Sequence, residues 1–341
     1  MADAPTDESA YRRLVEPHRP ELLAHCYRML GSAHDAEEAL QEALLRAWRG
    51  MAKFERRSSL RSWLYRIATN TSLDIIDRRP EKKVLPLDHG PATDPHDGPG
   101  APLVESIWVE PYPDAQLGMA DGLASPEARY EQREGVELAF IAVLQHLPPS
   151  QRAVLILREV LGFSAREVAA TLETTEAAVN SALQRARKAV DELALPEQSQ
   201  QETLRTLGDD RLREIVEAYA DAWERGDVDA VAAMLAEDAV LAMPPMPTWF
   251  RGIDDVLVFI RDWAFSGRVY EAIGRRRVKV IPTRANGQIA FGTYSWDIEQ
   301  ETHLPTVLQV LTLRGSEIVE IMGFVEPSAF RRFGLPDEIP A

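Results

Sequence analysis

The residues whose chemistry points most directly to a function lie close together near the middle of the chain. Amide, hydroxyl or guanidinium groups are carried there by Asn180, Ser181, Gln184, Arg185 and Arg187. On DNA, an arginine can bridge a guanine, and an asparagine or glutamine can bridge an adenine, through paired hydrogen bonds. The group therefore predicts a helix that reads base edges. The alternative is an ordinary helical hairpin whose polar face contacts only water.

Two short helices joined by a tight turn must position these side chains. Ser164 can cap the first helix, and Glu167, three residues later, completes a capping box. A turn at 172–174 follows, and Thr174 or Thr175 caps the second helix. An apolar stripe with helical spacing runs along that helix through Val179, Leu183, Ala186 and Val190. The pattern predicts a helix-turn-helix, whose second helix enters the major groove.

The charge of the chain limits how it can bind DNA. The sequence contains 54 Asp and Glu against 38 Lys and Arg, for a net charge of −16. The positive charge is concentrated between residues 49 and 79, whereas residues 196–341 carry 24 acidic and 15 basic residues. Because non-specific DNA affinity grows with the number of phosphates neutralised, we expect weak binding to DNA alone and a larger basic partner.

Composition excludes several classes of protein. Cys26 is the sole cysteine of the chain, which excludes an internal disulfide and argues against a cysteine-based metal site. No apolar run approaches the roughly 18 residues of a membrane span, and the acidic N-terminus lacks the order of a signal peptide. We expect a cytoplasmic protein of two or three domains, without membrane contact, metal or cofactor.

Residues 147–187 resemble region 4 of sigma-70 family factors of the extracytoplasmic-function group. The resemblance is carried by 147–152 (LPPSQR), 162–164 (GFS) and 184–187 (QRAR). In that family, region 4 reads the −35 promoter element and touches the flap of RNA polymerase. The resemblance implies −35 contacts for the polar side chains described above, and it places Arg166 near the DNA backbone. The whole −35 set is Arg166, Asn180, Ser181, Gln184, Arg185 and Arg187.

This sequence departs from the common region 4 pattern at several positions. Asn180 and Ala182 stand where many relatives have basic residues, and Glu173 replaces a frequent turn glycine. The promoter sequence of a relative therefore cannot be transferred to this chain.

The N-terminal part resembles region 2.2 of the same family through 35–48 (DAEEALQEALLRAW). Region 2.2 docks on the clamp helices of the polymerase, where complementary charge sets register and association rate. A solvated helix face is the alternative, because a run of charges is usually one. The resemblance implies polymerase contacts for the acidic and amide side chains of Asp35, Glu37, Glu38, Gln41 and Glu42.

The next predicted helix, residues 59–79, resembles regions 2.3 and 2.4, which melt and read the −10 element. Strand opening requires a basic track and a pocket for an unstacked base. The loop 53–58 is expected to capture that base, although it lacks the glycine that relatives often have. The candidates for DNA contact are Phe54, Arg57, Trp63, Tyr65, Asn70, Asp74, Arg78 and Arg79. For Trp63, packing in the core is an equally weighted alternative.

Residues 81–125 are rich in proline, glycine and aspartate, and they carry 8 acidic against 2 basic residues. This composition predicts an extended linker. It could lie in the basic RNA-exit path of the polymerase or act as a solvated tether. Segment 108–114 (WVEPYPD) is more aromatic than a tether, so we expect it to dock. It resembles a segment of sigma factors that carry an extra C-terminal domain.

Residues 205–335 resemble the SnoaL-like cone-shaped α+β barrel. The sequence predicts a helix at 211–225 and strands at 278–281, 288–294, 306–314 and 317–324. The resembling motifs are Tyr219 with Ala222 and Trp223, then 226–228 (GDV), 235–240 (LAEDAV), 249–252 (WFRG) and 333–336 (FGLP).

Some relatives of this fold are enzymes that place an acid or base inside the cone. The candidates here are Asp297 and His303, and Trp223, Met243, Trp249 and Tyr294 are the candidate lining of a ligand pocket. No paired carboxylates or His–Asp spacing require catalysis, and a lone histidine is usually structural. We expect a regulatory module that contacts the sigma domains or the polymerase.

The predicted fold class is two all-α sigma domains plus a C-terminal α+β SnoaL-like barrel. We assign 9–80 to region 2, 81–125 to the linker, 126–195 to region 4 and 205–335 to the SnoaL-like domain. The predicted function is a non-enzymatic sigma factor that binds core RNA polymerase and promoter DNA. Two alternatives are a one-component, ligand-responsive DNA-binding regulator and a SnoaL-like enzyme fused to a DNA-binding part.

Overall fold

The computed structural model describes residues 8–54, 59–79, 82–103, 108–117, 135–193, 198–266 and 278–341. These residues form two compact units. The first contains the described residues up to 83, together with 116–117 and 135–193. The second contains 84–103, 108–115 and 198–341. Among the described helices, we find none that combines the length and the apolar character needed to cross a membrane.

The regular elements are numbered here along the described part of the chain. The helices are α1 (Glu8–Val15), α2 (Arg19–Leu30), α3 (Ala33–Gly50), α4 (Leu60–Arg78), α5 (Pro86–His89), α6 (Leu138–His146), α7 (Pro149–Leu155), α8 (Ala165–Thr171), α9 (Glu176–Glu192), α10 (Gln200–Arg225), α11 (Val228–Ala232), α12 (Ile253–Phe259) and α13 (Ala329–Arg332). The strands are β1 (Leu235–Ala242), β2 (Trp249–Arg251), β3 (Val278–Ala285), β4 (Gln288–Asp297), β5 (Thr302–Arg314), β6 (Glu317–Phe324) and β7 (Ile339–Pro340).

Local signals in the sequence set the ends of the N-terminal helices. Gly31 ends α2 in a left-handed conformation, with φ of 68°. The hydroxyl of Ser32 then accepts a hydrogen bond from the Asp35 amide and caps α3. Ser59 caps α4 in the same way through the Ser62 amide. Helices α2, α3 and α4 pack against one another around a core that includes Cys26 and Ala39.

The predicted helix-turn-helix is present as α8 and α9. The capping box at its start is complete, because the Ser164 amide donates to a Glu167 carboxylate oxygen at 2.8 Å and the Glu167 amide donates to the Ser164 hydroxyl at 3.3 Å. Thr175, rather than Thr174, caps α9 by accepting from the Ala178 amide. The buried stripe of α9 consists of Val179, Ala182, Leu183 and Ala186, and Val190 is half-buried.

Buried hydrogen bonds join the N-terminal helices of the first unit to α6–α9. Arg28 donates to the Gly135 carbonyl at 2.7 Å, and the Gln145 side-chain amide donates to the Arg28 carbonyl at 3.2 Å. The guanidinium of Arg152 donates to the Met29 carbonyl and to the Gln145 side-chain oxygen. This set of contacts, which we call the arginine seam, packs the two helical parts into one body.

The second unit is built on one seven-stranded sheet. Its order is β2-β1-β6-β5-β4-β3, with β7 paired to the start of β5. Neighbouring strands are antiparallel except β1 and β6, which are parallel. Helix α10 packs on β3, β4 and β5, and it bends at Gly208. The predicted α+β class is confirmed, and all four predicted strands are present: β3, β4 and β5 are longer than the pattern indicated, and β6 has the predicted bounds.

The described parts of the linker are docked on the second unit. The Trp249 indole donates to the Gly90 carbonyl at 2.8 Å, and the Trp263 indole donates to the Pro95 carbonyl at 3.1 Å. The Leu103 amide donates to the Pro245 carbonyl at 3.0 Å. The prediction that 108–114 docks is confirmed, because Pro113 forms a β-bridge with Ala285. The solvated-tether alternative is therefore wrong for the described residues.

A histidine in the core of the first unit should make stability depend on pH. His25 is fully buried and its Nε2 lies 2.8 Å from the Thr69 hydroxyl. Burial, together with the charges of Arg28 and Arg61, lowers its pKa to about 3. The unfolded chain takes up this proton below about pH 6.5. The free energy of unfolding should therefore fall as the pH drops from about 6.5 towards 3, by up to ~1.4 kcal/mol per pH unit.

We predict that His25→Gln removes about 2 kcal/mol of the stability loss that the unsubstituted chain shows between pH 7 and pH 5. Urea unfolding at the two pH values measures this difference. His34→Gln, which changes an exposed histidine of α3, serves as the control and should retain the full loss. An equal pH dependence in the His25 variant and the unsubstituted chain would contradict the prediction.

Candidate nucleic-acid interface

The exposed face of α9 carries most of the side chains predicted to read the −35 element. Asn180, Ser181, Gln184 and Arg185 are all exposed and lie opposite the buried stripe of the helix. Arg166 is exposed on α8. The structure therefore brings amide, hydroxyl and guanidinium groups together on one helix face, with hydrogen-bonding groups that match base edges.

Arg187 differs from the rest of this set because it has a partner within the protein. Its guanidinium lies 2.8 Å from the Glu159 carboxylate, and both side chains are partly exposed. The neighbouring Arg158 donates to the Phe163 carbonyl just before α8 begins. The Arg187–Glu159 pair therefore fixes the C-terminal half of α9 against the segment that precedes α8.

The turn between α8 and α9 requires an unusual backbone conformation. Glu173 has φ of 52°, in the left-handed region that favours glycine. The Thr174 amide donates to the Ala169 carbonyl, which closes the turn. The turn therefore keeps the shape that glycine would allow, at a cost in backbone strain.

The acidic stripe of α3 divides into exposed and half-buried side chains. Glu37 and Gln41 are exposed, whereas Glu38 and Glu42 are half-buried. Glu42 accepts a hydrogen bond from Arg46 at 2.9 Å. The exposed pair is the part of the predicted polymerase contact that lies open at the surface.

Asp35, the first residue of the predicted polymerase contact, is buried. Its carboxylate lies 2.6 Å from Arg79 and 3.6 Å from Lys83. Arg79 also reaches Glu38 at 3.1 Å, and the two carboxylates raise the arginine pKa, Glu38 more than Asp35. In this structure, Asp35 and Arg79 tie the end of α4 to the start of α3, so neither side chain is freely presented to a partner.

A groove between α3 and α4 unites two of the predicted −10 residues. It has a volume of about 360 Å³ and is lined by Arg46, Gly50, Trp63, Arg66, Ile67 and Asn70. Trp63 is 8% exposed and packs against Phe54 with ring centroids 4.9 Å apart. Trp63 is therefore packed in the core of the first unit and also lines the groove, whereas its contact with DNA stays a prediction.

The sequence pattern did not single out Arg46 as a groove residue. It follows Glu42 by four residues, which is the spacing of an ordinary helix-surface ion pair. In the fold, Arg46 also reaches across to Asp74 on α4 at 2.6 Å, and this hydrogen bond raises its pKa. Asp74, a predicted DNA contact, is thus paired with an arginine, and Arg78 is exposed beside it.

Tyr65, another predicted −10 residue, does not line the groove. Tyr65 is 1% exposed and packs against Phe163 with ring centroids 5.3 Å apart, so its ring belongs to the interior of the first unit. Arg57 and most of the loop 53–58 lie outside the described residues.

The four predicted pocket residues of the C-terminal domain have different surroundings in the second unit. Trp223 and Met243 belong to the buried core of the second unit. Trp249 binds the linker through Gly90. The Tyr294 hydroxyl donates to the Pro336 carbonyl at 2.9 Å, and the Tyr294 ring packs on Phe330. Tyr294 and Phe291 therefore lie on opposite faces of β4.

The predicted acid and base of this domain have structural partners. Asp297 accepts hydrogen bonds from the Glu299 and Gln300 amides, both at 2.9 Å. His303 is buried, and its Nδ1 lies 3.2 Å from the Ile339 carbonyl. Inside the sheet, the Tyr219 hydroxyl donates to Gln309 at 3.2 Å, which is a neutral pair. Among the described residues, no group of three or more metal-ligating side chains occurs.

Comparison with known proteins decides the family. The family model of Sigma-70 region 2 matches residues 14–80, that of Sigma-70 region 4 matches 137–190, and that of the SnoaL-like domain matches 216–321. ECF RNA polymerase sigma factor SigG of Mycobacterium tuberculosis is 39% identical over 334 residues, which cover 95% of this chain and 84% of the relative. The chain belongs to the ECF RNA polymerase sigma factors.

Further relatives agree with this placement. ECF RNA polymerase sigma factor SigE of Mycolicibacterium smegmatis is 30% identical over 194 residues, covering 54% of this chain and 63% of the relative. The crystal structure of the Mycobacterium tuberculosis sigma factor SigJ has the same fold, with a TM-score of 0.58 and 22% identity over 95% of this chain and 99% of that chain. The predicted family, the fold class and the function as a sigma factor are confirmed.

The strained turn of the helix-turn-helix yields a prediction about stability. Glu173→Gly should raise the free energy of unfolding by about 1 kcal/mol, because glycine adopts the left-handed conformation without a Cβ clash. Ala170→Gly, at an exposed position inside α8, is the matched control and should lower stability by about 1 kcal/mol. Chemical denaturation of both variants tests the pair. Destabilisation of equal size in both would show that the turn is unstrained.

Proposed function

We propose that this sigma factor reads the −35 element with α8 and α9, and holds an unstacked −10 base in the groove between α3 and α4. The observation that carries the proposal is the pair of polar surfaces on the first unit, one on the exposed face of α9 and one around Asn70. On α9, Asn180, Gln184 and Arg185 would contact base edges. Arg166, Ser181 and Arg187 would support them at the DNA backbone.

The chemistry of the groove fits a single base and its phosphate. Trp63 would give the groove an aromatic wall for a base, and the Asn70 amide offers a donor and an acceptor. Arg66 would supply positive charge for the DNA backbone, beside Arg46, whose guanidinium is paired with Glu42 and Asp74. Phe54 packs behind Trp63 and would fix its orientation. Asp74 would act through Arg46, because its carboxylate pairs with that guanidinium.

For the polymerase, we propose that Glu37 and Gln41 form the centre of the contact with the clamp helices. Both are exposed on α3, and the half-buried Glu38 and Glu42 flank them. Asp35 would contribute by positioning α4 through its ion pair with Arg79. We assign the flap contact to residues 126–195 and the clamp contact to residues 9–80.

We propose that the C-terminal domain is a regulatory module without catalytic activity, and that the chain acts in the cytoplasm with the polymerase. The support is the neutral Tyr219–Gln309 pair inside the sheet and the structural partners of Asp297 and His303. Acid–base catalysis needs a titratable group within reach of a substrate. The described hydrophobic core of this unit is built from apolar and aromatic side chains such as Phe291, Leu311 and Ile321.

Run-off transcription with purified core polymerase tests the proposed function. Transcripts that depend on both core enzyme and this chain support it. Tight, sequence-specific DNA binding without polymerase would favour the one-component regulator instead. Turnover of a small molecule by the C-terminal domain would favour the fused enzyme.

The groove yields a prediction that separates DNA contact from folding. Asn70→Ala should leave stability within about 0.5 kcal/mol of the unsubstituted chain, because its side chain is half-exposed. It should lower open-complex formation about tenfold, the effect of one lost base contact. Trp63→Ala is the comparison and should lose roughly 3 kcal/mol of stability, because a buried ring is removed. Normal open complexes with Asn70→Ala would refute the base contact.

The exposed face of α9 yields a second prediction. The double substitution Asn180→Ala and Gln184→Ala should reduce discrimination between the best −35 element and mismatched elements by roughly 10- to 100-fold. Lys188→Ala changes an exposed cation on the same helix, and should instead weaken all promoters alike and flatten the salt dependence. Transcription from a small panel of −35 variants, measured at two salt concentrations, distinguishes the two effects. If the double variant instead lowers transcription from all −35 variants equally, α9 does not recognise bases.

A further inference from the structure

The turn between β3 and β4 is a buried docking point for two other segments of the chain. Asn286 and Gly287 form the turn with φ of 56° and 73°, the left-handed pair that suits an Asn-Gly hairpin. Hairpin turns usually lie in solvent, but Asn286 is 0% exposed and Ala285 is also fully buried. The turn is covered because chain segments from far away in sequence bind it on both sides.

The first of these segments is the end of the linker that precedes α6. The Tyr112 amide donates to the Asn286 side-chain oxygen at 2.8 Å, and the Asn286 amide donates back to the Tyr112 carbonyl at 2.9 Å. The Asp114 carboxylate accepts from the Gly287 amide at 2.7 Å and from Arg284 at 3.3 Å. The linker therefore uses backbone and side-chain groups to grip both residues of the turn.

The second segment is the start of α10, which follows α9 in the chain. The Gln201 side-chain amide donates to the Gly287 carbonyl. Next to it, the Gln200 amide pairs with the backbone of Leu313, donating to its carbonyl and accepting from its amide, both at 2.8 Å. Both glutamines are 5% exposed. The amide and the carbonyl of Gly287 are thus bound by two segments that lie 87 residues apart in sequence, at Asp114 and Gln201.

The chain between these two anchors contains all of α6–α9. Among the described residues, Ala115, one residue beyond Asp114, is the last of the second unit before α6, and 116–117 and 135–193 belong to the first unit. The described chain resumes in the second unit at residue 198, three residues before Gln201. We propose that the β3–β4 turn, here called the clasp, fixes the two chain segments that lead into and out of region 4, here called its tethers, at Asp114 and Gln201. Release of the clasp would let region 4 reach the −35 element.

The distance between the two promoter elements explains why region 4 must be released. The −35 and −10 elements are named for positions about 25 base pairs apart, which is roughly 85 Å at 3.4 Å per base pair. In the first unit, however, Tyr65 of α4 contacts Phe163, which directly precedes the cap of α8. Promoter binding therefore requires region 4 to leave α4, and each tether residue that is freed adds at most ~3.5 Å of reach. This step rests on the proposed assignment of α9 and α4 to the two elements.

Distance measurements on the full chain test the clasp directly. Lys188→Cys in α9 and Glu338→Cys near β7 provide exposed sites for a pair of spin labels. Native Cys26 is buried, and burial raises the pKa of its thiol to about 12, so it should remain unlabelled. Asp114→Ala with Gln201→Ala is the unclasped variant. Asp238→Ala with Arg314→Ala removes an exposed ion pair elsewhere on the same sheet and is the matched control.

We expect a distance distribution at least about twice as broad in the unclasped variant, whereas the control should match the unsubstituted chain. Asn286→Gly is a second variant that keeps the left-handed turn and loses the side-chain acceptor for Tyr112, and it should broaden the distribution in the same direction. Equal widths in the unclasped variant, Asn286→Gly and the unsubstituted chain would overturn the clasp.

Run-off transcription at limiting amounts of the chain then tests its effect. The unclasped variant should give about fivefold more transcript or greater, in the range of coupling between sites in one protein. Unchanged output with a broadened distance distribution would overturn the regulatory role. If no form initiates transcription, including the unsubstituted chain, the proposed promoter assignment is refuted. The distance measurements alone would then test the clasp.

Discussion

Two buried guanidinium groups hold the helix-turn-helix against the N-terminal helices, and the first unit depends on how they are satisfied. Burying a charge is costly unless hydrogen bonds replace its water. The terminal nitrogens of Arg152 meet this requirement with carbonyls near the C-terminal ends of α2 and α6, including those of Met29 and Gln145. Carbonyls at a helix C-terminus lack partners within the helix and carry partial negative charge. The arginine therefore neutralises two helix ends at once.

The same arrangement has a consequence for function. Burial lowers the pKa of both Arg28 and Arg152 to about 10, so both remain charged at neutral pH. A seam of charged hydrogen bonds is stable when it is dry and is readily solvated when it opens, because guanidinium groups and carbonyls both bind water well. Apolar surface would aggregate if exposed in this way. The polar seam thus suits two modules that must pack when free and separate on a promoter.

The second unit illustrates that a fold does not determine function. Its sheet and its long helix follow an architecture that hosts several activities, and the comparisons match its residues 216–321 to a SnoaL-like domain. The two candidates for acid–base chemistry have structural contacts instead: Asp297 accepts a hydrogen bond within a turn, and the His303 ring lies against the Ile339 carbonyl of β7. What distinguishes the unit is the amount of linker it binds. We propose that the sheet serves as a scaffold for chain segments, which is a role in regulation.

Several features of this protein were determined by the sequence alone. The capping box at Ser164 and Glu167 and the stripe through Val179, Leu183 and Ala186 are local patterns, and local hydrogen bonds and helical periodicity are sufficient to fix them. The exposed face of α9 follows from the same periodicity. The helices and strands of the α+β class were predictable for this reason, whereas the family and the order of the modules were predicted from the resemblance of short motifs to known sigma factors.

Only the tertiary structure decided which side chains from distant parts of the sequence contact one another. The spacing of Asp35 and Arg79 does not reveal that they pair, and nothing local to Tyr112 or Gln201 indicates that both bind the turn at Asn286 and Gly287. Contacts between residues far apart in sequence depend on the path of the whole chain. A polar side chain has the same helical spacing whether it faces DNA, a partner or another helix, so its role was settled by packing.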